Sequence, residues 1–298
     1  MTGIICINKN SDITSFKAVA RVRGITDERK AGHTGTLDPM AKGVLPIMLG
    51  GATRFLDFLP DSDKGYRAKF VLGKTTDTLD ITGTVTAEYE VNCTADDVRE
   101  VLGEFHGEIE QVPPMYSAVS VDGKRLYDLA RQGVEVERKP RRVEIKKLEL
   151  VSTDNGEYVI DVLCSKGTYI RTLIDDIGKR LGCGAVMTAL TRTVAMGFTL
   201  DDCVTLDELQ SLKDSGQGFD TVLKDIEKMF TAYDFVNVSE AQAKRFFNGG
   251  ALSAERIRKK LKDGIYRVYS PDGVFLGLGE FSADKGELAV KRLLVKRD

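Results

Sequence analysis

Two hydrophobic periods run along this chain. Strict alternation in "YRAKFVLG" (66–73) puts Tyr66, Ala68, Phe70 and Leu72 on one face and predicts a strand. "GIICIN" (3–8), "VEIKKLEL" (143–150) and "YVIDVLC" (158–164) read as strands too, the last two joined by the turn "TDNGE". Helical spacing marks "TADDVREVLGEF" (94–105), where Thr94 and Asp97 form a capping box and Val98, Val101, Leu102 and Phe105 make the apolar stripe. In "YIRTLIDDIGKRLG" (169–182) the inward residues are Ile170, Leu173, Ile174, Ile177 and Leu181, and Gly182 is the stop. "TSFKAVARVRGI" predicts a helix capped by Thr14 or Ser15, with Phe16, Val19, Ala20 and Arg23 at helical spacing. "TLDELQSLK" (205–213) opens on a second capping box, Thr205 to Glu208.

The texture changes after "KDSGQG" (213–218). One helical stretch, "SEAQAKRFFNGG" (239–250), precedes "YRVYS", the turn "PDG", "VFLGLGEF" and "ELAVKRLLV", all strand-like. This places a boundary near residue 231, giving domains 1–230 and 231–298, the second a tail of roughly 65 residues that is large enough to fold alone. Strand runs mixed with scattered helices, without regular βαβ alternation, argue for an α+β class with a mixed, mainly antiparallel sheet.

Composition narrows the chemistry. The chain has 298 residues, 42% hydrophobic and 30% charged, which is ordinary for a globular protein. No apolar run approaches the 18 or so residues of a membrane span, and "MTGIICINKN" turns polar too soon for a secretory signal. Five scattered cysteines without a C-x-x-C pair suggest reduced thiols in a cytosol. Two well-separated histidines, His33 and His106, argue against a zinc or iron site. The formal net charge is −2, so bulk charge does not announce a nucleic-acid binder. The charge is uneven, however: "RKPRRVEIKK" (138–147) and the closing "KRLLVKRD" are basic stretches, weak support for phosphate contacts.

"GHTGTLDP" (32–39) has three readings. Asp38 before Pro39 can sit in a turn or cap a helix. A phosphate loop fits poorly, because neither G-x-x-x-x-G-K-[ST] nor G-x-G-x-x-G spacing is present. A catalytic carboxylate is the third reading, and it requires a cation to keep Asp38 ionised in a closed pocket. The lack of a G-x-S-x-G elbow argues against a serine hydrolase triad.

The wider pattern carries more. "KAGHTGTLDPMAKGVLPIMLGGATRF" (30–55) resembles the signature segment of the bacterial TruB family of tRNA pseudouridine synthases. "KGYRAKFVLGKTTDTLDITG" (64–83), "QVPPMYSAVSVDGKRLYDLARQGVEVERKPR" (111–141), "CSKGTYIRTLIDDIGKRLGCGA" (164–185) and "ALTRTVAMGF" (189–198) resemble its further blocks, in the same order. The tail, with "GVFLGLGE" (273–280), is similar to a PUA domain, a small RNA-binding β-barrel. The resemblance implies a pseudouridine-synthase sheet with flanking helices, and isomerisation of the T-loop uridine, position 55 of tRNA, by an intramolecular transferase that flips the base. No cofactor and no metal are implied. Asp38 becomes the catalytic carboxylate and Arg171 its partner. Tyr66 lies against the base and aids proton removal from C5, Tyr169 and Leu190 line the base pocket, and His33 inserts where the flipped nucleotide leaves a gap. Lys9, Arg54, Lys64, Arg67 and 138–147 become candidate phosphate partners. The T-arm stem-loop and, through the tail, the acceptor end of tRNA are the expected partners of a cytoplasmic monomer. The rivals are a tRNA-folding chaperone and a nucleoside hydrolase.

Two departures from that pattern stand out. "KNSDITS" (9–15) has Asn10 and Asp12 where the family commonly has proline and glycine, which predicts a less rigid loop at Lys9. Lys42 also stands where threonine is usual.

Overall fold

The computed structural model describes residues 1–117, 119–121 and 123–294; the closing basic residues Lys296 and Arg297 lie outside them. Ten strands build the larger sheet: β1 (Gly3–Lys9), β2 (Ala31–His33), β3 (Lys42–Leu49), β4 (Lys64–Leu72), β5 (Gly107–Gln111), β6 (Arg141–Asp154), β7 (Glu157–Cys164), β8 (Ala185–Ala195), β9 (Phe198–Thr199) and β10 (Leu223–Lys224). Their order is β10-β1-β3-β8-β4-β7-β6-β5, with β2 on β3 and β9 on β8. All of these pairs are antiparallel except β3 with β8, where Thr191 faces Lys42 and Arg192 faces Gly43. The class is therefore α+β with a mixed, mainly antiparallel sheet, as the pattern predicts.

That one parallel pair depends on a glycine. Gly43 has φ +103°, and a Cβ there would come within 2.2 Å of the Arg192 carbonyl oxygen. Only glycine combines that conformation with so close a backbone approach.

Helices α1 (Ser15–Thr26), α2 (Ala95–Glu104), α3 (Leu126–Arg131), α4 (Ile170–Arg180), α5 (Leu206–Asp214) and α6 (Glu240–Phe247) surround the sheets. The capping boxes at Thr94–Asp97 and Thr205–Glu208 form as predicted. Helix α1 corrects the expected face. Its buried side is Ser15, Ala18, Val19, Val22 and Ile25, whereas Phe16 is 77% exposed. The bulk of Phe16 suggested an inward stripe, but the one-residue offset through Ala18, Val22 and Ile25 carries more apolar contact with the sheet.

Residues beyond the larger sheet form a five-stranded sheet: β11 (Asp234–Asn237), β12 (Leu252–Ser253), β13 (Gly264–Tyr269), β14 (Phe275–Ser282) and β15 (Glu287–Leu293), in the order β11-β13-β14-β15-β12. It encloses its own core around Val236, Phe246, Val268 and Leu288. A further apolar cluster joins the two sheets, with Phe55, Ala195 and Phe198 meeting Phe230, Phe275 and Leu278. Among the described residues no helix is long and apolar enough to cross a membrane.

Candidate active site

The 32–39 stretch runs from β2 into the loop before β3, and its backbone is held from four directions. Ser15 Oγ accepts from Leu37 N at 2.8 Å and donates to Leu37 O at 3.1 Å. Arg192, fully buried on β8, donates Nη2 to Gly35 O at 3.1 Å, Nη1 to Thr36 O at 3.3 Å and Nε to Val44 O at 2.8 Å. Lys9 Nζ donates to Pro39 O at 3.1 Å, and Asp12 N to the same oxygen at 2.8 Å. These bonds pin the backbone of a partly exposed loop, of which only Leu37 is buried, against the buried Ser15, Lys9 and Arg192.

Lys9 is therefore no phosphate partner. It is fully buried, its remaining ammonium protons going to Asn10 O and Ile13 O at 2.9 and 2.8 Å. Burial pulls its pKa down to about 8, against the charges of Asp38 and Asp12. Asp12 adopts φ 66°, the left-handed conformation a glycine would take, which aspartate tolerates better than most residues.

The Asp38 carboxylate caps no helix. Its Oδ2 lies 2.9 Å from Arg171 Nε, and its side chain is 36% exposed whereas that of Arg171 is 5% exposed. Arg171 stands in the first turn of α4, behind Tyr169, whose backbone is clamped by Gln111 of β5: Gln111 Oε1 accepts from Tyr169 N at 3.0 Å and Nε2 donates to Tyr169 O at 3.3 Å. The rest of the guanidinium is engaged as well. Nη1 donates to Thr78 O at 2.9 Å and Nη2 to Tyr116 O at 2.8 Å. A second carboxylate, Asp80, approaches Nε at 3.8 Å and is nearly buried. Asp80 Oδ1 in turn accepts from Thr78 Oγ1, Thr82 N and Thr82 Oγ1 at 2.9, 3.0 and 2.5 Å. Leu79 between them sits at φ 63°, a strained position for a branched side chain. A planar fork with fixed donors suits four acceptors set this far apart; one ammonium could not meet them all.

A pocket of about 170 Å³ opens at this pair. Asp38, Tyr66, Tyr169, Arg171 and Leu190 all line it, joined by Lys64 from the start of β4. Tyr66 is buried, and its phenol is pushed up to about 12, chiefly by that burial. His33 stands outside the pocket, on β2 opposite Ile47. Its Nδ1 is buried without a partner among the described residues, and burial first, then the Arg192 charge, lower its pKa. Of the exposed cations, Arg67 is held by both Asp161 oxygens at 2.7 Å, Lys146 pairs with Asp63 at 2.9 Å and Lys147 with Glu149 at 2.9 Å. Arg54 is exposed. Among the described residues no three histidine, cysteine or acidic side chains cluster as metal ligands would.

Sequence reasoning missed Asp80, Gln111 and Arg192. Asp80 lay inside a block already noted, and its flanking Thr78 and Thr82 are the one local sign of a tightly bonded aspartate turn.

Residues 23–170 match the family described as TruB family pseudouridylate synthase (N terminal domain). Residues 171–231 match the tRNA pseudouridylate synthase B C-terminal domain, and 235–294 match pseudouridine synthase II TruB, C-terminal. The chain belongs to the TruB family of pseudouridylate synthases. The tRNA pseudouridine synthase B of Pseudomonas fluorescens (strain Pf0-1) is 45% identical over 296 residues, covering 99% of this chain and 96% of that protein. The tRNA pseudouridine synthase B of Clostridium kluyveri is 43% identical, covering 94% and 95%. Among solved structures, a chain of a Cbf5–Nop10–Gar1 complex superposes with a TM-score of 0.76 at 26% identity, covering 99% of this TruB-family chain and 86% of that one.

Proposed function

We propose that this TruB-family enzyme isomerises the T-loop uridine of tRNA to pseudouridine, with Asp38 as the catalytic carboxylate. The carrying observation is the Arg171–Asp38 pair at 2.9 Å, opening into a pocket of single-base scale. The naming of close relatives as tRNA pseudouridine synthases supports tRNA as the substrate.

The reaction breaks N1–C1′, turns the base and joins C5 to C1′, while a proton leaves C5 and N1 gains one. It is redox-neutral and consumes no water, so acid–base and electrostatic side chains suffice. Asp38 either adds to C1′ or removes the 2′ proton. Both routes use the ionised carboxylate, and Arg171 Nε fixes Oδ2 so that the other oxygen is free for the sugar. Tyr66, Tyr169 and Leu190 enclose the base. With its pKa near 12, the Tyr66 phenol keeps its proton at neutral pH; its hydroxyl relays the C5 proton, taking it up as it passes its own to solvent water, and rearomatisation of the ring drives that loss. Extruding the base costs on the order of a few kcal/mol, and His33, outside the pocket, takes the space the nucleotide leaves. Residues 1–230 form the catalytic domain. Residues 231–298 form a PUA-like RNA-binding domain that grips the acceptor end, and the enzyme acts as a cytoplasmic monomer.

The test is tritium release from an unmodified tRNA transcript carrying 5-tritiated uridine. Release equal to one uridine per tRNA, abolished when the T-loop uridine is replaced by cytidine, is expected. Folded protein that binds the transcript and releases nothing would refute the reading.

A further inference from the structure

Four cations gather at this site, and three of them are each held by at least three acceptors of the protein. Arg171 is shared between two carbonyls and two carboxylates, Arg192 holds three carbonyls, and Lys9 holds three more. The three ammonium protons of Lys9 are all spent, and each guanidinium is pinned at Nε, Nη1 and Nη2 by groups of the protein itself. Lys64 differs. It opens β4 and lies two residues before Tyr66, hence on the same face of the strand. It lines the pocket with Asp38. Its Nζ rests over Gly35, where even a methyl group would come within 3.4 Å. Among the described residues no acceptor and no carboxylate bonds it.

The surroundings make this charge costly. Burial, then the Arg192 and Lys166 charges, disfavour the ammonium, and only Cys164 opposes them. A half-buried cation facing other cations is kept at a cost in stability, and an anionic ligand would compensate it. The reaction supplies one. When N1–C1′ breaks heterolytically, the bonding pair stays with the base, spread over N1, O2 and O4. C1′ is satisfied by the Asp38 oxygen or by the sugar double bond formed on loss of the 2′ proton. When C5 attacks C1′, the pair returns to carbon and the charge leaves the ring.

We propose that Lys64 stabilises the uracil anion formed when the N1–C1′ bond breaks. This rests on the function proposed above. Lys64 is then a catalytic residue that acts after binding, unlike a phosphate contact, which acts during it. It also completes the division of labour: Arg171 serves the carboxylate and Lys64 the departing base.

The experiment compares wild type, Lys64→Gln and Lys64→Arg on a T-arm stem-loop, by single-turnover product formation at saturating enzyme and by RNA affinity across a salt series. Lys64→Gln is expected to slow the saturated rate about a hundredfold, the scale of losing one charge-stabilising donor. Its RNA affinity and salt slope stay within about twofold of wild type, and Lys64→Arg recovers most of the rate. On a stem-loop with 5-fluorouridine at the target, where C5 carries no proton and the readout is C5–C1′ bond formation, the fluorine stabilises the departing anion and narrows the gap between wild type and Lys64→Gln. An unchanged saturated rate with weaker binding and a salt slope reduced by about one would overturn the proposal in favour of a phosphate contact. An equal defect on uridine and 5-fluorouridine would overturn it too, as the mark of a distorted pocket. Wild type inactive on both RNAs would instead refute the function itself.

Discussion

Replacing Arg171 by methionine tests how far the site and the fold share one anchor. The guanidinium is nearly buried and bonds Thr78 O and Tyr116 O, while its Nε serves Asp38 and, at 3.8 Å, the buried Asp80. Methionine keeps the volume and leaves Asp80 with no cation beside it. Breaking a buried ion pair from one side costs about 3–5 kcal/mol. At roughly 2–4 °C per kcal/mol for a large domain, the melting temperature should fall by on the order of 10 °C. The chain has no tryptophan, so circular dichroism is the probe. The cost belongs to the stranded charge, and adding Asp80→Asn should return part of it. The double variant is expected to be more stable than the sum of the single effects by roughly 1–3 kcal/mol. A loss below about 1 kcal/mol in Arg171→Met, or strict additivity, would refute the reasoning. Turnover should vanish in both variants.

Lys9 gives a pH signature. The folded chain releases its proton near pH 8 and the unfolded chain near the ordinary 10.5. Between those values the unfolded state holds more protons, so this residue alone makes stability rise with pH, by about 3 kcal/mol in total. Lys9→Met should flatten that rise in urea midpoints measured across the window; parallel profiles would contradict it. Gly43→Ala should cost more than about 2 kcal/mol, because the added Cβ meets the Arg192 carbonyl at a positive φ, and turnover should fall with it as Arg192 loosens its hold on Gly35 and Thr36. Gly24→Ala, with nothing within 4 Å of the added carbon, should instead stabilise α1 by about 0.5–1 kcal/mol.

Local physics was legible in the chain. The capping boxes at Thr94 and Thr205, the alternation of β4 and the stripe of α4 follow from neighbours a few residues apart, and each formed as expected. Pairings between distant segments were not. Arg192 reaches Thr36 across 156 positions and Gln111 reaches Tyr169 across 58; no periodicity records either contact. Lys9 misled for the same reason: a lysine beside a polar loop reads as exposed until three carbonyls are found around it. Phe16 misled through its size, since a single large ring outweighed a better-placed row of smaller residues. The pocket's membership came from the resemblance, because Asp38, Tyr66 and Arg171 each read, on local pattern alone, as a turn, core or surface residue. The structure brings five of the six expected residues together around one cavity and leaves His33 on β2 beside it.

The central claim is that the Asp38 carboxylate performs the isomerisation. Asp38→Asn preserves shape and removes the charge, so the decisive measurement is tritium release by this variant from 5-tritiated tRNA, with affinity for the same tRNA measured alongside. Release should drop to background while affinity stays within about threefold of wild type, phosphate contacts being what dominates binding. Turnover at a tenth of the wild-type rate or more, by folded variant, would contradict the account.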